Sequence, residues 1–187
     1  MRDPSSRAED VLIRCYRRED VLPLFEAAAE SVTEIHPWLP WCHPGYAREE
    51  SEAWVQRCGS AWREGTEYNF AIVQRSGRFL GGCGLNQIKG DHHVANLGYW
   101  VRSSETRRGI APAAVRKLVD FAFRETDLLR LEIVAAVENI ASQRVAERAG
   151  ALREGVLHDR LFVHGRSHDA VLYAFVRTLH LKDRCYG

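Results

Sequence analysis

The chain has 187 residues, 45% hydrophobic and 27% charged, with a formal net charge of +1. That length supports one globular domain with a sizeable core. So small a net charge supplies no strong positive field, and nucleic acid is not an expected partner.

Residues 1–10 are polar and read as a lead-in to a single domain over 11–187. Val11 to Tyr16 reads as a strand. Glu19 to Ser31 has helical spacing, with Val21, Leu24, Phe25 and Ala28 on one face. His36 to Gly45 holds three prolines, which exclude a regular helix, and two of the chain's tryptophans, Trp38 and Trp41. Ala47 to Glu64 returns to helical spacing. Tyr68 to Gln74 and Phe79 to Gln87 are strands joined by the turn Arg75-Ser76-Gly77-Arg78, and Val94 to Arg102 is a further strand. Gly81-Gly82-Cys83-Gly84 lies inside a strand pattern and suggests a bulge or close packing. Gly109 to Arg124 is a helix with Pro112 in its first turn. Leu131 to Val137 is a strand. Asn139 to Ala149 is a helix with Asn139 as N-cap and Gly150 just past its end. Leu157 to His164 and Asp169 to Val176 form a final hairpin turning at Gly165. The order β-α-α-β-β-β-α-β-α-β-β predicts an α/β fold: a mixed, mostly antiparallel central sheet flanked by helices, with one strand-helix-strand crossover.

The five cysteines, Cys15, Cys42, Cys58, Cys83 and Cys185, are odd in number and contain no CxxC pair. A disulfide framework is not expected, and a cytoplasmic location fits. The N-terminus lacks a signal core, and no run reaches the ~18 apolar residues of a bilayer span, so no membrane partner is expected. His36, Cys42 and His43 have no second ligand pair at metal-site spacing, and no metal is expected.

Two segments carry chemistry. In Ala95 to Ala111, a strand runs through a short loop into Arg107-Arg108-Gly109-Ile110-Ala111, which opens a helix. Helix N-termini present unpaired N–H groups and a positive dipole end, and small residues there let a diphosphate approach. The turn lacks the GxxxxGK[ST] pattern of a Walker A loop. The second segment is Asn139-Ile140-Ala141-Ser142, leading into Ala146-Glu147-Arg148-Ala149-Gly150-Ala151. Gly-Tyr-Trp, then Arg-Gly-x-Ala, then Asn-x-x-Ser with Ala-Glu-Arg-Ala-Gly-Ala resembles the GNAT N-acetyltransferase superfamily. The His-Pro-Trp-Leu-Pro-Trp loop and the tail Gly165 to Tyr173 resemble its ribosomal-protein N-terminal acetyltransferase (RimJ/RimL-like) branch. The resemblance covers about Val11 to Arg177.

The resemblance implies acetyl-CoA as acetyl donor, its pantetheine arm along the strand ending at Tyr99-Trp100-Val101-Arg102. Its diphosphate is then held by amides and charge of Arg107, Arg108, Gly109, Ile110 and Ala111, with Asn139 touching the pantetheine and Ser142 near the sulfur. Thr106 and Pro112 depart from the family's usual residues. So does Asn96, which stands where the family often has a glutamate and cannot take a proton. The mechanism expected is direct attack of a neutral amine on the thioester. The Val101 N–H stabilises the oxyanion, Ser142 (Tyr173 as the weaker alternative) protonates the thiolate, and water ordered by Asn96, Glu34 or His158 takes the amine's proton. Trp38, Trp41 and Glu34 are the candidate acceptor-binding residues. The acceptor expected is a protein N-terminal α-amine. A small amine, such as an antibiotic or polyamine, and a non-catalytic acyl-CoA sensor are the alternatives. A homodimer is allowed, although no segment marks its surface.

Overall fold

The computed structural model describes residues 10–180, so most of the expected lead-in lies outside the described residues. The elements are β1 (Val11–Cys15), α1 (Val21–Ile35), α2 (Arg48–Glu64), β2 (Tyr68–Gln74), β3 (Phe79–Lys89), β4 (Val94–Val101), α3 (Ile110–Glu125), β5 (Arg130–Ala136), α4 (Ile140–Ala149), β6 (Leu152–Val163) and β7 (Arg166–Val176). They follow the expected order. The strands form one sheet, β1-β2-β3-β4-β5-β7-β6. Every neighbouring pair is antiparallel except β4–β5, which α3 joins as a crossover.

Side-chain alternation divides the core. On β2, Phe70 and Ile72 pack into the cluster under α3, whereas Ala71 and Val73 face Leu24 and Ala27 of α1. The α3 face Ile110, Ala113, Ala114, Leu118, Ala122 has helical spacing and is buried. Helix α4 starts and stops as its residues require: the Asn139 side chain accepts from the Ser142 amide, and Gly150 closes it at φ 93°.

Three boundaries differ from expectation by three residues or more, and the others by no more than two. Helix α1 runs on to Ile35, because Ile35 is buried against Cys42 and extends the apolar stripe past Ser31. Strand β6 starts at Leu152, five residues before Leu157, with register shifts at Arg153/Gly155 and Leu157/Leu161 that blur its alternation. The β6–β7 turn holds only His164 and Gly165, both at positive φ, so pairing starts directly at Val163↔Arg166.

Helix α1 also ties down the segment after β4. The Arg102 guanidinium donates to the Glu30 carboxylate, through Nε to Oε1 at 3.0 Å and through Nη2 to Oε2. The Ser104 hydroxyl donates to Glu30 (2.7 Å) and the Ser103 hydroxyl to Glu34 (2.7 Å). Buried Ser31 accepts from the Ser103 amide at 2.9 Å while donating to Ala27 O. Among the described residues, no helix is long and apolar enough to cross a membrane.

Two stability predictions follow from this packing. Leu118 is fully buried in the α3 core, so Leu118→Ala is expected to cost about 2–5 kcal/mol in denaturant unfolding. The Glu30 carboxyl is lowered from 4.5 to about 2, chiefly by its hydrogen bond with Arg102, with Ser104 contributing. A depressed carboxyl stabilises the fold above its unfolded value, and the gain is lost as pH falls through the folded one. Glu30→Gln is therefore expected to lower stability by no more than about 1 kcal/mol at neutral pH, after solvent screening. The gap to wild type should close between about pH 5 and pH 2 in thermal melts.

Candidate active site

The parallel pairing of β4 with β5 covers only Val94↔Arg130, Ala95↔Leu131 and Asn96↔Glu132. Beyond it the strands splay. On its other edge β4 stays paired with β3 up to Gly81↔Val101. There the Arg102 amide donates to Leu80 O at 2.9 Å, so Val101, one residue earlier, turns its N–H and C=O away from β3. By the same alternation Leu97, Tyr99 and Val101 present their backbone groups to the splay. On the β5 side, Ala136 O is held by the Asn139 amide (2.9 Å) and the Gln143 side chain (3.1 Å).

The turn Arg107 to Ala111 sits past the end of β4. Arg107 (φ 61°) and Gly109 (φ 73°) are both left-handed, which curves the backbone and gathers its N–H groups on one side. For an arginine that conformation costs about 1 kcal/mol. Helix geometry leaves the amides of Ile110 and Ala111 without an intrahelical acceptor, and buried Pro112 has none to offer. Arg107 is exposed. Arg108 donates to buried Glu105 at 2.6 Å, and Arg78 pairs with the same carboxylate at 2.8 Å. Arg108 is therefore partly neutralised from behind, and Arg107 carries the freer charge of the two.

Across the splay, the Tyr99 hydroxyl reaches α4. Its oxygen lies 2.9 Å from Ser142 O and 3.0 Å from Ser142 Oγ. Ser142 is fixed by its own amide, which donates to Asn139 Oδ1 at 3.0 Å. Burial pushes the Tyr99 phenol up to about 12, against the lowering effect of the Ser142 contact.

On the α1/α2 face of the sheet lies a cavity of about 560 Å³. Tyr16, Trp41, Tyr46, Trp54 and Trp100 supply aromatic walls. Gly82, Gly84 and Gly98 line its floor, with the Tyr16 and Trp100 side chains over Gly82 and the Asn69 side chain over Gly84. A Cβ on Gly84 would stand 2.1 Å from Asn69 Oδ1, and one on Gly82 would stand 2.5 Å from the Tyr16 hydroxyl. Gly81, at φ 153°, sits at the register shift between β2 and β3, so the glycine run combines a bulge with close packing. The carboxylates lining the cavity are Glu50 and Glu67, and its basic side chain is Arg57. Glu67 accepts from Arg57 (2.5 Å) and Asn69 (2.8 Å), and its side chain is 19% exposed. Arg57 also stacks over Trp54.

The structure therefore brings Tyr99, Val101, Asn139 and Ser142 to one gap, and Trp41 and Trp100 to the cavity beside it. Other expected residues lie elsewhere. Trp38 is half-buried outside the cavity lining, and Glu34 is on the exposed side of α1 bonded to Ser103. The Arg102 side chain belongs to the Glu30 clamp, so only its backbone stays near β4. Asn96 donates its side-chain amide to Asn86 Oδ1 at 2.9 Å across the β3–β4 ladder. Tyr173 is fully buried and donates to Glu147, which removes it as a proton donor to a thiolate in the splay. His158 is on the outer strand β6, paired with Asp169 and 83% exposed, which removes it from the acceptor's proton path. Cys42 is buried with its thiol donating to Ala28 O, and His43 contacts Glu50. Glu67 and Asn69 were missed. Their signal was an asparagine inside the apolar strand Tyr68-Asn69-Phe70-Ala71-Ile72-Val73, with a carboxylate two residues earlier on the same face.

The profile of the Acetyltransferase (GNAT) domain family matches residues 10–152. YdaF of Bacillus subtilis (strain 168), named as a ribosomal N-acetyltransferase, is 40% identical over 170 residues, covering 90% of this chain and 92% of that protein. The ribosomal-protein-serine acetyltransferase of Escherichia coli (strain K12) is 26% identical over 167 residues, covering 89% and 93%. Among solved structures, Mycobacterium smegmatis RimJ in complex with CoA-disulfide superposes with TM-score 0.83 at 28% identity, covering 90% of this chain and 83% of that one. With a sheet splayed beside a helix N-terminus and a family match over most of its length, this chain belongs to the GNAT acetyltransferase family and is an N-acetyltransferase that uses acetyl-CoA as donor.

Proposed function

We propose that the chain acetylates the α-amine at the N-terminus of a protein, as the names of its ribosomal-protein relatives suggest. The observation that carries this reading is the charge of the cavity. A polyamine or cationic antibiotic calls for a strongly acidic groove, but here Glu67 is already paired with Arg57, and Glu50 accepts from the Ala47 amide and contacts His43. Asn69, Asn86 and Gln87 add amides suited to peptide carbonyls and N–H groups.

Backbone groups of Leu97, Tyr99 and Val101 suit the amides of the pantetheine arm, in the manner of strand addition. The amides at Ile110 and Ala111, with the Arg107 charge, suit the diphosphate. The Val101 N–H faces the gap and is the oxyanion donor of this reading. Ser142 is the donor to the departing sulfur. Asn96 serves by fixing Asn86 at the cavity wall and not as a base. Acetyl-CoA supplies an activated thioester, so a neutral amine suffices and no covalent enzyme intermediate is needed.

Thiol release with unblocked peptides beginning in Ser or Ala, with N-terminally blocked peptides carrying an internal lysine, and with spermidine tests the proposal. Turnover confined to unblocked peptides, with mass spectrometry locating the acetyl on the α-amine, is the expected result. A higher kcat/KM on spermidine would overturn it. Gly84→Ala displaces Asn69 from Glu67, so it is expected to raise the acceptor KM roughly tenfold, about the worth of one charge-assisted hydrogen bond, and to leave CoA affinity unchanged.

A further inference from the structure

An acyl donor lying in the splay meets its acceptor where the splay opens into the cavity. Gly98, Tyr99 and Trp100 mark that junction: they lie beyond the last β4–β5 pair, and they line the cavity. The Tyr99 hydroxyl spans the gap there to Ser142. From these contacts we propose that Tyr99 is a positioning residue whose phenol turns the Ser142 hydroxyl proton toward the departing sulfur, so that two O–H groups in series stabilise the thiolate. The proposal rests on the reading that Ser142 faces that sulfur.

The proton inventory is small enough to follow. The phenol has one proton and two acceptors in reach, the carbonyl and hydroxyl oxygens of Ser142. When it donates to the carbonyl, the Ser142 hydroxyl donates back to the phenol and its proton points away from the gap. When it donates to Oγ, the Ser142 proton is released for another acceptor. Negative charge growing on sulfur favours the second arrangement. The Asn139 cap holds Ser142 in the first turn of α4, so the phenol has a fixed target.

Neither side chain has to surrender its proton. The phenol, held up at about 12, is a weaker acid than a thiol at ~8.5, so hydrogen bonding is favoured over transfer. The balance closes without the enzyme: the C–S bond breaks and its electron pair leaves on sulfur, the C–N bond forms, the amine's proton goes to water, and the thiolate takes one from water. The Tyr173 phenol donates to Glu147 and cannot substitute.

The test needs no acceptor. Binding of CoA and of desulfo-CoA is measured by calorimetry from about pH 6.5 to 9.5, and the ratio of affinities is followed. Stabilising the thiolate lowers the bound thiol's pKa. A lowering of one unit makes the ratio rise roughly tenfold in favour of CoA across that range. Ser142→Ala, Tyr99→Phe and the double variant are each expected to flatten the rise to the same extent, with desulfo-CoA affinity unchanged. If the double variant loses the product of the single effects, the two donors act independently and the proposal fails. If Tyr99→Phe keeps the wild-type rise while Ser142→Ala loses it, the proposal fails and the Ser142 reading stands. If Ser142→Ala keeps the rise, the Ser142 reading falls and takes the proposal with it. Should Tyr99→Phe disturb the fold, 3-fluorotyrosine at position 99 gives a stronger donor of nearly the same shape. A steeper rise is then expected, and an unchanged one overturns the proposal.

Discussion

The parallel contact between β4 and β5 lasts three residue pairs and then stops, although both strands continue. Each is held from its far side. β4 is bound by β3 along its length, and its end is drawn toward α1 through Arg102, Ser103 and Ser104. β5 is bound by β7 through Ala136↔Ala170, and its last carbonyl is capped from α4. The strands cannot close on each other without breaking one of these sets. An open backbone edge thus stands inside a sheet. Left dry, each unpaired group would cost about 1–3 kcal/mol. Water or an amide-bearing ligand has to fill it, and acetyl-CoA carries amides in its pantetheine arm.

The same anchoring sets the turn that follows. The left-handed Arg107 is a strained residue that persists because its flanks are over-determined, by the α1 clamp on one side and by Glu105 on the other. Glu105 is buried between two arginines, so it is paired within the fold and not a free charge facing the cradle. Its effect is to hold Arg108 beneath the turn. The positive field at the turn then rests on backbone amides, the α3 dipole and Arg107.

Much of this was legible in the chain. Helix caps and apolar periodicity located α3, α4 and β5 closely, because Gly109, Asn139 and Gly150 each have one conformational use. The splay was not legible from residue patterns, since it arises from where pairing ends, and pairing is a relation between strands distant in sequence. It could be expected only through the family resemblance. The start of β6 was obscured for a related reason: an edge strand with two register shifts keeps no clean alternation. The burial of Tyr173 was not legible, because alternation assigns it a face of β7 and does not reveal that it is fully buried there. The place of Glu34 was not legible, because the helix was expected to end at Ser31, whereas α1 continues past Glu34 to Ile35 and turns it toward Ser103.

The two halves of the site differ in what they ask of the chain. On the proposed reading the splay and the turn at 107–111 offer main-chain groups, so few side-chain identities are needed there: a glycine at 109, an alanine at 111 and a cap at 139. They lie in the second half of the sequence. The cavity's charged and amide side chains, Glu50, Arg57, Glu67, Asn69, Asn86 and Gln87, all come from the first half. On the proposed reading they discriminate among acceptors by charge and hydrogen-bond geometry. On that reading donor recognition leaves a short, position-specific trace in the sequence, whereas acceptor recognition is spread over α2, β2 and β3 and is assembled only when the sheet brings Asn69, Gly84 and Gly98 side by side.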